Sequence, residues 1–175
     1  VQEKEQKFVL KIQEMKNACV YVDPVRLRQV LINLVSNAVK YTPEKGCVEV
    51  FAQQVECTRK GIGTYRIVVK DNGIGMSEEF QKKLFEPFCR EDNSMTNVTQ
   101  GTGLGLSIAK SILTIMGGSI EVDSVQGRGT TFTVMLQLQL AKTDGEEKGN
   151  SGNVQNADTE AKEADSSDRS ERVWF

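Results

Sequence analysis

Apolar and polar residues alternate through Phe8, Leu10 and Ile12, which predicts a strand, and "CVYV" at 19–22 predicts a second short one. Asp23-Pro24 then reads as a helix N-cap with proline at the first helical position. Beyond it Leu27, Leu31, Leu34 and Ala38 recur at helical spacing, joined by Val30 and Val35, and this helix is expected to end near Thr42-Pro43. Two strands follow at about 47–57 and 64–71, joined by the turn residues "RKGIGT". A helix from about Ser77, a polar loop over 89–101 and a helix over about 103–116 come next. The pattern closes with a hairpin whose turn is set by Gly127 and Gly129. Neighbouring strands joined by hairpins, with helices between them, predict an α+β domain. It should be a two-layer sandwich with helices on one face of a mixed, mostly antiparallel sheet.

The pattern stops near residue 140. Residues 141–175 hold nine acidic side chains against five basic ones, with Ser, Asn and Gly and almost nothing to bury before the terminal "RVWF". Such a segment cannot offset its ordering entropy, so 1–140 reads as the domain and 141–175 as an acidic, low-complexity disordered tail or linker. "RVWF" is open to two readings, the first strand of a further domain or a chance apolar end.

Composition narrows the chemistry. The net charge of −2 is too near neutral for a nucleic-acid footprint. No apolar run approaches the roughly 18 residues that a membrane span needs. The four cysteines, Cys19, Cys47, Cys57 and Cys89, are scattered without a CxxC pair, as expected of free thiols in a reducing, cytoplasmic setting. There is no histidine, so neither a histidine-based triad nor a histidine-ligated metal can be built from this chain. The chain opens on Val1 rather than methionine and reads as a piece of a longer protein.

Three clusters carry candidate chemistry. Asn33, Asn37 and Lys40 lie on one side of the first long helix, roughly 110–140° round from the leucine stripe. Asparagine is a poor helix former, and a merely wet face would favour Glu, Lys or Gln. Asp71 ends a strand rich in Ile and Val, where a carboxylate can accept a hydrogen bond from an exocyclic amine such as that of adenine. Gly73 and Gly75 behind it would let the backbone turn and approach a planar ligand, although an ordinary Asp-Asn-Gly turn uses the same residues. Phe85 and Phe88, either side of Pro87, are expected as core residues anchoring a mobile segment. "GTGLGLSIAK" at 101–110 sets Gly101, Gly103 and Gly105 before a helix whose N-terminal amides suit phosphate. It is no dinucleotide fingerprint, because the spacing is wrong and the preceding "SMTNVTQ" is not a buried strand.

Taken in order, "RLRQVLINLVSNAVKYTP", "VKDNGIGM", "LFEPF" and "GTGLGLSIAKSILTIMGGSIEVDSVQGRGTTFTV" resemble the N, G1, F and G2 boxes of the sensor histidine kinase catalytic domain. That domain has the Bergerat ATP-binding fold, and the resemblance covers residues 8–140. It implies ATP and Mg²⁺ as cofactors, with Asn37 holding the metal through its amide oxygen. Lys40 would approach phosphate oxygens, Tyr41 would pack by the nucleotide, and Asp71 would recognise the adenine amine beside Gly73 and Gly75. Residues 89–101 would form a lid, with Arg90 reaching phosphate. Gly101, Thr102, Gly103, Leu104, Gly105 and Leu106 would hinge the lid and present amides, and Thr130 would support the adenine site.

Asn33 stands where hydrolysing members of that superfamily place a glutamate that activates water. An amide does not accept a proton near neutral pH, so transfer to a protein side chain is favoured over hydrolysis. The resemblance implies a histidine acceptor on a separate dimerisation domain and a response regulator receiver domain downstream, in a parent protein that is cytoplasmic or anchored to a membrane. No nucleic-acid or membrane contact is expected of this fragment. Two alternatives stay open: a nucleotide-binding regulatory module without catalysis, and a serine protein kinase of the same superfamily.

Overall fold

The computed structural model describes residues 4–13, 15–16, 19–57, 59–91, 102–141 and 171–174. In chain order the elements are β1 (Lys7–Gln13), β2 (Cys19–Val22), α1 (Pro24–Tyr41), β3 (Cys47–Val55), β4 (Ile62–Asp71), α2 (Glu78–Lys83), α3 (Gly105–Ile115), β5 (Ser119–Val125), β6 (Gly129–Leu140) and β7 (Glu171–Trp174). The strands form one sheet in the order β1-β3-β4-β6-β2-β7, with β5 also paired to β6. Among the described residues only β1 and β3 run parallel, and every other pairing is antiparallel. The fold is the α+β arrangement that the sequence predicts.

The long strand β6 organises the sheet. One side pairs with β4 from Thr130 to Gln139, while the other pairs first with β5 and then, at Gln139 and Leu140, with β2. Alternate residues of β4 and β6 point to the helices: Tyr65, Ile67 and Val69 from one, Phe132, Val134, Leu136 and Leu138 from the other. Against them α1 sets Leu27, Val30, Leu34 and Ala38, and α3 sets Ala109, Ile112 and Leu113. Leu31 and Val35 of the predicted stripe pack at the margin of this core.

Local signals at the helix starts act as the sequence suggests. Asp23 Oδ1 accepts from the amides of Val25 and Arg26, both at 3.0 Å, satisfying two of the donors that a helix start leaves open. Ser77 Oγ accepts from Phe80 N at 3.3 Å at the start of α2.

Phe8, Leu10 and Ile12 form the strand that their alternation predicts, and all three are exposed, with Leu10 at 60 %. Their partners Val48, Val50 and Ala52 place them on the helix side of the sheet, at an edge where no described residue buries them. One expectation is corrected: Phe88, expected in the core, is 73 % exposed and takes a left-handed conformation (φ 63°) while its amide donates to Gly103 O at 3.1 Å. It is Leu84 that enters the core there, with Phe85 packed against the margin. Within the stretch 141–175, residues 171–174 pair with β2 as an outer strand. Residues 142–170 and 175, on which the reading of a disordered tail or linker falls, lie outside the described residues.

Candidate functional site

Helix α1, the end of β4, and the start of α3 converge on a cleft of about 300 Å³. The polar residues of α1 reach it because the opposite face of the helix is committed to the sheet. Asn33, Asn37, Lys40 and Tyr41 all line it. Lys40 Nζ sits over the Tyr41 ring, 4.9 Å from its centroid, so the cation is held at the cleft by the neighbouring ring.

Asp71 closes the inner end. It is 6 % exposed, and its Oδ1 accepts from Gly73 N at 2.8 Å and from Thr130 N at 3.2 Å. Both bonds fall on one oxygen, which leaves Oδ2 of this cleft-lining residue for a ligand donor. Burial raises the carboxyl above its ordinary pKa, and the two amide bonds from Gly73 and Thr130 offset part of that rise. Thr130 is fixed in turn: its hydroxyl lies 2.9 Å from Ser124 Oγ and can donate to it while Ser124 Oγ donates to Gly129 O at 3.0 Å. Ser124 Oγ also accepts from Met76 N at 3.0 Å.

The glycines behind Asp71 are required by close approach of the chain's own backbone. A Cβ on Gly73 would press on Tyr41 O and on Asp71 Oδ1 itself. Gly75 has φ 64° and lies against the backbone carbonyl of Val125, so no side chain fits. Asn72 faces away from this role, its Oδ1 accepting from Cys47 N at 2.7 Å and fixing the start of β3.

The mouth is formed by α3. Leu104 caps it without a side-chain hydrogen bond, and no acidic residue occupies its first turn. The positive end of the helix dipole therefore has no side-chain counter-charge in that turn, an arrangement suited to an anion. Asn33 Nδ2 donates to Gly105 O at 3.0 Å, tying α1 to the first residue of α3.

Of the residues singled out from sequence, the cleft brings together Asn33, Asn37, Lys40, Tyr41, Asp71, Gly75, Arg90, Thr102, Gly103, Gly105, Leu106 and Thr130. Gly73 and Leu104 flank it as described, and Gly101 lies outside the described residues, as do all of residues 92–101 of the expected lid 89–101. The apolar floor escaped sequence reading: Ile74, Met76, Phe80, Leu84 and Phe132 line the same cleft. Ser124 escaped too, although the register of a hairpin turning at Gly127 sets it opposite Thr130.

A family model described as "Histidine kinase-, DNA gyrase B-, and HSP90-like ATPase" matches residues 22–140, the span that builds this cleft. The chain belongs to the histidine kinase-, DNA gyrase B- and HSP90-like ATPase family. Within this ATPase family its relatives are sensor histidine kinases. Sensor protein GacS of Pseudomonas syringae pv. syringae is 45 % identical over 128 residues, which is 73 % of this chain and 14 % of GacS. The mycobacterial sensor histidine kinase MprB superposes with a TM-score of 0.63 at 25 % identity, covering 80 % of this chain and 87 % of that one. Full-length ShkA, solved in complex with AMPPNP, gives a TM-score of 0.66 at 30 % identity over 81 % of this chain and 27 % of its own. The chain thus spans a small part of the length of GacS and ShkA, and corresponds to the ATPase domain of the sensor kinases.

Proposed function

We propose that this ATPase domain binds Mg-ATP in the cleft between α1, β4 and α3 and transfers the γ-phosphoryl group to a histidine on a separate helical dimerisation domain. The observation that carries this reading is the presence of Asn37 and Asp71 on one cleft, with the open N-terminus of α3 at its mouth. ShkA, which shares this fold, was solved with AMPPNP, an ATP analogue.

Each residue has a task that its chemistry fits. The unengaged Oδ2 of Asp71 accepts the exocyclic amine of adenine, and Thr130 steadies the same end. The base rests on Ile74, Met76 and Phe132. Asn37 offers an amide oxygen, a hard donor of the kind Mg²⁺ accepts alongside phosphates and water. Bound beside the triphosphate, that ion would neutralise phosphate charge. Lys40, Arg90 and the first amides of α3 orient the phosphates, and positioning with charge neutralisation is most of what phosphoryl transfer needs. At Asn33 an amide stands in place of a carboxylate base, and its nitrogen is already given to Gly105. Water is therefore not activated at that place, which favours transfer over hydrolysis.

The chain contains no histidine, so the acceptor belongs to a partner domain. Residues 1–140 act as the catalytic unit in the cytoplasm, 141–175 serve largely as linker, and a response regulator receiver takes the phosphoryl group onward. Calorimetry with Mg-AMPPNP tests the binding step: Asn37→Ala is expected to abolish metal-dependent binding, and wild-type affinity in that variant refutes the reading. For the transfer step, the chain is mixed with ATP and a histidine-bearing dimerisation domain from a related kinase. An acid-labile phosphoryl product is expected; an acid-stable one points to serine instead.

A further inference from the structure

The last turn of α1 carries Lys40 and Tyr41 into the cleft, and a helix end leaves its final carbonyls without partners. Here two side chains from the segment leading into β1 supply them. Lys4 Nζ donates to Lys40 O at 2.9 Å, to Thr42 O at 3.2 Å and to Val39 O at 3.5 Å. Gln6 Nε2 donates to Thr42 O at 2.7 Å, to Val39 O at 3.0 Å and to Pro43 O at 3.3 Å. Both residues lie more than thirty positions away in sequence from the carbonyls they meet. Their own segment is pinned beside that turn, with Lys45 N donating to Lys4 O at 3.0 Å and Lys7 N to Gly46 O at 2.8 Å.

Gln6 is a costly way to fill space. It is 7 % exposed, and its Oε1 is buried without a partner. An apolar residue would avoid that unmet acceptor, but it would remove the one amide that reaches the carbonyls of Val39, Thr42 and Pro43 together. The same helix end is held from the opposite direction by the loop after β4, where Ile74 N donates to Tyr41 O at 3.2 Å. One turn of α1 thus joins the lead-in to β1, the phosphate-side residue Lys40 and the loop that follows Asp71.

We propose that Lys4 and Gln6 are positioning residues for nucleotide binding, so that the placement of the lead-in to β1 and the affinity of the cleft are coupled through the last turn of α1. This deepens the Mg-ATP reading and rests on it. Neither residue touches the nucleotide; they fix the carbonyl end from which Lys40 and Tyr41 project. Coupling of this kind is reciprocal, so a bound nucleotide must also steady the lead-in.

The test measures Mg-AMPPNP affinity by calorimetry in the 175-residue chain. Lys4→Met with Gln6→Leu is expected to weaken binding about tenfold, and Lys4→Arg alone to keep it within about twofold. Leu138→Ala, in the core at the far end of β6, serves as the stability control. It should lower the melting temperature without moving affinity. Should the double variant fail to fold, Lys4→Met alone must still weaken binding. Hydrogen exchange gives the second readout: Mg-AMPPNP should slow exchange at the amides of Lys7 and Lys45. Wild-type affinity in a folded double variant, or in Lys4→Met, overturns the positioning role while leaving ATP binding intact. So does an equal affinity loss in Leu138→Ala. A wild-type chain that binds no nucleotide overturns the functional reading and this inference together.

Discussion

The side-chain amide of Asn33 donates to the carbonyl of Gly105 at 3.0 Å, joining two helices across 72 positions of sequence. The bond links the helix that carries the candidate metal-binding amide to the helix whose open N-terminus lies at the mouth of the cleft. It gives Asn33 a structural task as well as a place on the cleft wall.

Replacing Asn33 with alanine therefore removes a part-buried bond and leaves the Gly105 carbonyl without this donor. The expected loss is about 1 kcal/mol of unfolding free energy, measured in urea. An unchanged denaturation midpoint would show that the two helices hold their distance without it.

Asp71→Asn separates stability from binding. Burial puts the folded-state pKa of Asp71 above its unfolded value, so between the two the folded chain holds more protons. Stability from this group is then full at low pH and falls as pH rises through the folded pKa, which means that the ionised carboxylate is carried at a cost at neutral pH. The amide keeps an oxygen for Gly73 and Thr130, so the variant should melt at a higher temperature than wild type near neutral pH. That advantage should vanish below the unfolded carboxylate value, near about 3.9. The same variant should bind ATP less tightly and lose its preference over GTP. A lower melting temperature at neutral pH counts against the account.

Gly75→Ala is expected to cost at least about 2 kcal/mol, because φ is 64° and the added methyl meets a backbone carbonyl that cannot move aside. The loss should appear in thermal melting and in nucleotide affinity together, since Ile74 and Met76 flank the glycine and line the cleft. A melt identical to wild type would mean that the β5–β6 turn yields.

Much of this was legible in the chain. The α1 stripe declared itself because one helix face meets the sheet, and the polar residues left over were those that reach the cleft. Asp71 was legible because a carboxylate ending an apolar strand has few ordinary uses. Alternation reports which residues share a face but not what covers that face. Phe8, Leu10 and Ile12 form the strand their alternation predicts, while their exposure at an edge beyond α1 was not legible. Phe88 looked like core because it is aromatic beside Leu84 and Phe85, but its left-handed backbone turns it outward. The backbone carbonyls that crowd Gly73 and Gly75 were not legible, since only the folded chain brings Tyr41 and Val125 against them. Lys4 and Gln6 gave no signal at all, since their partners are backbone carbonyls that no side-chain pattern records. A strand was one of two readings of the terminal "RVWF", but its pairing with β2 was not legible, since no local pattern records a partner so far away in sequence.

The first and last strands occupy opposite margins of the sheet, β1 at one and β7 at the other. Five inter-strand steps at about 4.8 Å each put them roughly 24 Å apart. Proteins tethered ahead of β1 and beyond β7 would thus depart from opposite flanks, with the sheet as a fixed spacer between them, and a module on one flank need not be displaced for a module on the other to approach.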